Sequence, residues 1–203
     1  MTGPSIAVVD YGAGNLTSVL KGLTAAGGEP FVARDPREVS TANAIVVPGV
    51  GNFAATGAIA EQMRDSLTRA VVDGSPLLGI CLGLQFLFEG SEEAPGVRGL
   101  GLLEGQCSLL HGDVKVPHVG WNTLDPRRES PIMAGVPAAS YVYYTHSYAA
   151  PVTAATVAST THGVPFAAVV DNGPGGHVFG VQFHPEKSGE DGMRILRNFV
   201  ALC

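Results

Sequence analysis

The stretch Pro76–Ile80 (PLLGI) is apolar throughout and runs without a linker into Cys81 and then Leu82–Glu89, whose pattern is helical. A strand that is apolar on both faces has to be covered on both faces, the situation of strands in layered α/β sheets. The rest of the first half repeats this arrangement. Ser5–Asp10 (SIAVVD), Pro30–Ala33 and Ala44–Val47 (AIVV) read as further short strands, the last cut off by Pro48-Gly49. Leu16, Val19, Leu20 and Leu23 recur at i, i+3, i+4 and i+7, the core stripe of a helix that Gly27-Gly28 stops. Leu67, Ala70 and Val71 mark a second helix. Buried strands alternating with helices predict a parallel sheet with right-handed crossovers.

After about Gly99 the helical stripes vanish. Gln106–Leu110, Tyr141–Tyr144, Ala154–Ser159, Phe166–Val170 and Val178–Phe183 are strand-like and separated by turn residues such as Asp171-Asn172-Gly173, a spacing that predicts antiparallel pairing. A closing helix is expected over Asp191–Leu202, with Ile195, Leu196 and Phe199 on one face. No repeat, low-complexity tract or linker divides the chain. The expectation is one α/β domain over residues 1–203, a mixed sheet flanked by helices.

Composition narrows the function classes. The chain is 45% hydrophobic and 15% charged, which excludes a disordered polymer. A net charge of −6 without any cluster of Lys or Arg argues against nucleic acid as a partner, because neutralising phosphates needs a basic face. No stretch approaches the roughly 18 apolar residues of a membrane span. The opening MTGPSIAVVD lacks the basic and apolar regions of a signal peptide, so a cytoplasmic location is expected. Cys81, Cys107 and Cys203 are odd in number and form no CxxC pair, so neither a disulfide framework nor a metal site is expected. Gly12-Ala13-Gly14 opens a helix, but Thr17 stands where a dinucleotide fingerprint has its third glycine, and no GxxxxGKS or GxxxxGKT occurs. No cofactor is expected.

The junction at Cys81 carries chemistry. Gly79-Ile80-Cys81-Leu82-Gly83 has the Gly-x-nucleophile-x-Gly spacing of a nucleophile elbow, in which a sharp turn lifts the nucleophile out of the sheet. A Cβ at either glycine is expected to collide with neighbouring strands or helix. The helix N-terminus that follows favours a thiolate. A buried inert thiol is the commonest state of a free cysteine and accounts for Cys107 and Cys203, but it explains neither glycine. A thiol nucleophile needs a base and a group to orient it. His184, just after the Val178–Phe183 run, and Glu186, two residues on across Pro185, fit those roles. His111, His162 and His177 sit in turn-like sequence and read as surface residues, whereas His118 and His146 stand among aromatics. Acyl transfer also needs an oxyanion hole. The backbone N–H of Leu82 is one candidate donor. Gly49 and Val50 in Pro48-Gly49-Val50-Gly51 offer the second, although an ordinary strand-ending turn explains that loop equally well.

These residues resemble the class I (triad) glutamine amidotransferases, whose pattern is a Gly-x-Cys-x-Gly-x-Gln elbow with a late His-Pro-Glu. Here they are Gly79 to Gln85 and His184-Pro185-Glu186. Within that class the chain is similar to the glutaminase subunits of imidazole glycerol phosphate synthases. The marks are Pro48-Gly49-Val50-Gly51, Pro117-His118-Val119-Gly120-Trp121-Asn122, Tyr143 to Tyr148 (YYTHSY) and His184-Pro185-Glu186-Lys187-Ser188. The resemblance implies a flavodoxin-like sheet and a Cys81–His184–Glu186 triad that hydrolyses glutamine. It places the substrate against Gln85, Glu93 and the backbone near Ser147 and Tyr148. It also implies a heterodimer with a (β/α)8-barrel cyclase that receives the ammonia, meeting a face lined by Asn15, Trp121, Tyr143 and Lys187. Lys187 is expected to reach an acid on the cyclase. A glutaminase subunit for anthranilate, aminodeoxychorismate or pyridoxal phosphate synthesis shares the triad, and a free-standing flavodoxin-like cysteine hydrolase shares the elbow.

Overall fold

The structure, a computed structural model, describes residues 3–203; Met1 and Thr2 lie outside the described residues. In chain order the elements begin with β1 (Ser5–Val9), α1 (Leu16–Ala25), β2 (Glu29–Ala33), α2 (Pro36–Ser40), β3 (Ala44–Val47), α3 (Glu61–Val72), β4 (Leu77–Ile80) and α4 (Leu82–Leu87). They continue with β5 (Gly90–Ser91), β6 (Gln106–Leu109), β7 (His118–Thr123), β8 (Asp125–Pro126), β9 (Tyr141–His146) and β10 (Tyr148–Ala149). The chain ends with β11 (Thr156–His162), β12 (Val164–Asp171), β13 (Val178–Val181) and α5 (Gly189–Val200).

Eight strands form one mixed sheet in the order β2-β1-β3-β4-β13-β12-β11-β8. The first five run parallel and the last three antiparallel, so the alternating half and the strand-rich half expected from the sequence share one sheet. Side chains alternate across the central strands, as the period of two requires. Ile6, Val8, Val46, Leu78 and Ile80 pack with Val19 and Leu23 of α1 and Ile195, Leu196 and Phe199 of α5. Ala7, Val9, Ile45, Val47 and Leu77 pack on the other face with Met63 and Leu67 of α3 and Leu84 and Phe86 of α4. Both faces are therefore sealed, which explains the unbroken apolar runs. The order 2-1-3-4 reverses direction between β1 and β3, the kind of switch point where α/β sheets bind ligands beyond the carboxyl ends of their strands.

Besides the two-residue strands β5, β8 and β10, two elements depart from the sequence-based expectation. Pro36–Ser40 is a short helix capped by Asp35 and Glu38, and His118–Thr123 is a strand. The second lies outside the main sheet, paired with Tyr141–His146 in a two-stranded antiparallel ribbon that sets Trp121 opposite Tyr143 and His118 opposite His146.

Candidate active site

The carboxyl ends of β1, β3, β4 and β13 bring the sequence-predicted residues to one edge. Cys81 follows β4 directly at φ 54°, ψ −107°, left-handed backbone that a residue with a side chain adopts only at a cost of about 1–3 kcal/mol. The turn is enforced from both sides. A Cβ at Gly79 would approach the Gly83 carbonyl to 2.5 Å, and one at Gly83 would overlap the Val47 carbonyl of β3. The Cys81 N–H donates to the Val181 carbonyl at 2.8 Å, which ties the elbow to β13.

β13 in turn delivers His184. Its N–H donates to the Tyr143 carbonyl at 3.0 Å, and its carbonyl accepts from Ser188 Oγ at 2.6 Å. Its Nδ1 lies 3.0 Å from Glu186 Oε1, both side chains being almost wholly buried. Burial alone would lower the His184 pKa, but the neighbouring Cys81 thiol and Glu186 carboxylate outweigh it and raise the pKa to about 9. Nε2 meets no partner at full hydrogen-bond geometry, and neither does Glu186 Oε2. The resting site thus holds an oriented, cation-favouring imidazole with one nitrogen uncommitted beside a strained thiol.

A cavity of about 320 Å³ opens in front of Cys81, and Gln85, Glu93, Ser147 and Tyr148 all line it. Gln85 Nε2 donates to the Tyr148 carbonyl at 2.8 Å, and the Glu93 carboxylate accepts from the Phe53 N–H at 2.7 Å. The four expected substrate contacts are therefore gathered round the Cys81 thiol. A larger cavity, about 820 Å³, lies at the amino ends of β4 and β13, between Pro131–Val136 and Asp171–His177. No cysteine lines it, and its guanidinium, Arg128, is paired with Asp171. Size does not outweigh that chemistry.

The expected oxyanion donor is occupied. The Leu82 N–H donates to the Gly49 carbonyl at 3.4 Å, so the peptide joining Gly49 to Val50 turns its oxygen, not its N–H, toward the elbow. Tyr11 holds this loop: its hydroxyl donates to the Pro48 carbonyl at 2.8 Å and stands where a Cβ on Gly49 would have to go. Burial, and the nearby Cys81, push the Tyr11 pKa above its ordinary range. Gln182 lies behind the thiol, its Nε2 3.7 Å from Cys81 Sγ and its Oε1 3.3 Å from Gln85 Nε2. Tyr11 and Gln182 carry no sequence motif of their own, so sequence reasoning missed them.

Of the expected docking residues, Trp121 is exposed and meets the Tyr143 ring edge-on at 6.0 Å, with Lys187 Nζ 6.0 Å from the same ring. Lys187 pairs with no carboxylate among the described residues. Asn15 is exposed and caps α1, accepting from the Ser18 N–H. Cys107 is buried in β6, where burial raises its pKa, and Cys203 is exposed.

The family model of the class I glutamine amidotransferases matches residues 7–203. The chain belongs to that family. Among its relatives are imidazole glycerol phosphate synthase subunits named HisH. That of Natronomonas pharaonis is 49% identical over 98% of this chain and 94% of its own length. That of Thermococcus kodakarensis is 48% identical over 97% of this chain and its whole own length. Two solved structures share the fold: a glutamine amidotransferase with a TM-score of 0.74 at 20% identity, covering 97% of each chain, and PurLQS from Thermotoga maritima with 0.73 at 22%, covering 98% of each. The resemblance drawn from the motifs and the mixed-sheet amidotransferase architecture expected from it are both borne out. Among the described residues no helix is long and apolar enough to cross a membrane.

Proposed function

We propose that this chain is the glutaminase subunit of an imidazole glycerol phosphate synthase. One observation carries the reading: Cys81, Gln85, Glu93, Ser147 and Tyr148 converge on one small cavity, with His184 and Glu186 beside the thiol. The names of the relatives supply the synthase.

Glutamine enters that cavity, its α-amino and α-carboxylate groups held by Glu93 and the backbone of Ser147 and Tyr148. The Cys81 thiolate attacks the carboxamide carbon. The His184 imidazolium protonates the departing nitrogen, ammonia leaves, and a thioester remains. His184, now neutral, takes a proton from water, and the resulting hydroxide attacks the thioester. Glutamate departs and the thiolate–imidazolium pair is restored. Glu186 fixes the ring through Nδ1 and stabilises its charge, the orienting role of a triad acid. Ammonia passes to a (β/α)8-barrel cyclase subunit, which uses it to form imidazole glycerol phosphate and aminoimidazole carboxamide ribonucleotide. Free ammonia in water at neutral pH would protonate and lose its nucleophilicity.

The closed oxyanion loop fits such coupling. Turning over the Gly49–Val50 peptide frees the Leu82 N–H and presents that of Val50. A cyclase with its nucleotide bound that favours the turned state by ~2.7 kcal/mol stimulates turnover ~100-fold. Trp121, Tyr143, Lys187 and Asn15 form the docking face, Trp121 as apolar anchor and Lys187 as partner for an acid of the cyclase.

The test is glutamate release by the chain alone, with the cyclase, and with the cyclase and its nucleotide, using Cys81→Ala as control. Strong stimulation only in the third mixture is expected. Equal turnover in all three, or turnover by Cys81→Ala, sinks the reading.

A further inference from the structure

Three histidines outside the triad cluster between the β7–β9 ribbon and the cavity. His118 and His146 are buried, with ring nitrogens 3.2 Å apart. His162 stacks on His118 with ring centroids 4.1 Å apart, and Tyr144 stacks on it at 4.8 Å. His146 also lines the cavity in front of Cys81.

The hydrogen bonds around this pair can run in only one direction. At one end, Asn122 Oδ1 accepts from the Thr123 N–H at 2.8 Å, while Nδ2 donates to the Thr161 carbonyl at 3.1 Å. Those contacts fix the amide, so Nδ2 must also be the donor to His118 Nε2 at 3.3 Å. Nε2 then carries no proton, and the neutral ring has its proton on Nδ1. At the other end, His146 Nδ1 lies 2.9 Å from the Tyr148 carbonyl, which only accepts. His146 therefore carries its proton on Nδ1 and offers a bare Nε2 to His118. The two ends demand the same arrangement. The Tyr148 carbonyl is the oxygen that also accepts from Gln85 Nε2.

We propose that Asn122, His118 and His146 form a neutral, one-directional hydrogen-bond relay that holds the Ser147–Tyr148 backbone against Gln85, making His118 a positioning residue for the amino-acid end of glutamine. The relay rests on the glutaminase reading for its substrate but not for its existence. The environment agrees with neutral rings: burial first, and then the neighbouring His162, lower the His118 pKa to about 4. Burial likewise dominates in lowering that of His146 to about 3, with His118, His162 and His184 adding to it and the Tyr148 bond opposing it. Deleting the His118 donor leaves His146 Nε2 bare and buried and frees the Tyr148 segment to shift. Neither His118 nor Asn122 lines the cavity in front of Cys81, so the loss falls on substrate binding, not on the chemical step.

Two measurements test this in the complex with the cyclase. Nitrogen-15 spectra of histidine-labelled protein at neutral pH report the tautomers directly. The relay requires Nδ1–H and bare Nε2 for both His118 and His146, and an Nε2–H form of either overturns it whatever the enzyme's activity. In kinetics, His118→Phe keeps a stacking ring but no donor. Its KM for glutamine should rise roughly tenfold, the scale of one buried hydrogen bond left unmade, with kcat within about twofold. His118→Asn, which restores a donor near the Nδ1 position, should recover most of the KM. An unchanged KM in His118→Phe, or a fall in kcat alone, overturns the positioning role. If wild-type protein fails to hydrolyse glutamine at all, the proposed function falls, while the tautomers still decide the relay.

Discussion

The sheet has a cavity at each end, and they differ in what they contain. The amino end has the larger, about 820 Å³, where the buried carboxylate is already paired: Arg128 pairs with Asp171 and donates to the Ala155 and Asp171 carbonyls. The carboxyl end has the smaller, about 320 Å³, and beside it stand a cysteine in left-handed backbone, a buried imidazole with a free Nε2 and a carboxylate with a free oxygen. The reason lies in strand direction. Parallel strands all end at one edge, so every loop after them reaches the same place, whereas the amino edge collects only chain entries and the antiparallel returns. Reactivity follows from groups held away from their preferred partners, and volume alone does not supply it.

The sharpest way to break that contrast is one substitution at each end. Cys81→Ser should lower glutamine hydrolysis at least ~1,000-fold, because nothing in the site is tuned to ionise a hydroxyl. Asp171→Asn should leave kcat within about twofold and destabilise the fold by about 2 kcal/mol, a figure reduced because Arg128 is partly exposed. Turnover assays and urea unfolding of both variants check it. Activity lost at Asp171 and kept at Cys81 would reverse the assignment.

Within the carboxyl end, His184→Ala should cost at least ~10-fold more activity than Glu186→Gln, because in the proposed mechanism the acid orients the ring and transfers no proton. Equal losses would make the carboxylate a participant in proton transfer.

The same pair sets a pH dependence of stability. The folded pKa of His184, about 9, lies above the ordinary 6.5, so its contribution is complete below pH 6.5 and disappears as pH rises through 9. The span corresponds to roughly 3–4 kcal/mol. Unfolding midpoints measured from pH 6 to 10 should fall over that window, and Glu186→Gln should lessen the fall, with the Cys81 contact keeping the larger share. A wild-type profile level across the window would mean that the imidazolium is not stabilised in the fold.

The two regions were also unequally legible. The elbow and the His184–Glu186 pair could be read because their determinants are local: glycines two residues either side of Cys81, and a carboxylate two residues after His184. Of the ribbon only β9 could be read, because β7 is inside out. Its apolar residues, Val119 and Trp121, point to solvent, while His118, Gly120 and Asn122 face inward. A period-two search for buried apolar residues therefore passes over it. The five-residue helix at Pro36–Ser40 is too short to show a stripe. Gln85, Glu93, Ser147 and Tyr148 were reached through the family resemblance, since no local pattern joins residues separated by up to 63 positions. Tyr11 reaches Pro48 across 37 positions, and only the folded switch point between β1 and β3 brings them together.

Tyr11 gives the smallest effect and the finest distinction between a loop merely closed and a loop held closed. The Leu82 N–H to Gly49 contact, at 3.4 Å, is long, so it restrains the peptide weakly. The 2.8 Å bond from Tyr11 to the Pro48 carbonyl is the better one, and it anchors the residue just before the peptide that must turn. Tyr11→Phe keeps the ring and removes that bond. A net hydrogen bond of about 1 kcal/mol corresponds to a change of ~5-fold in the population of the turned state. Glutamine hydrolysis by the unstimulated chain should rise by about that factor. The rate with ligand-loaded cyclase should stay near that of the wild type, so the stimulation ratio shrinks ~5-fold. An unstimulated rate that stays level or drops would show that Tyr11 supports the turned loop as much as the closed one, and that the Gly49 carbonyl alone keeps the oxyanion hole shut.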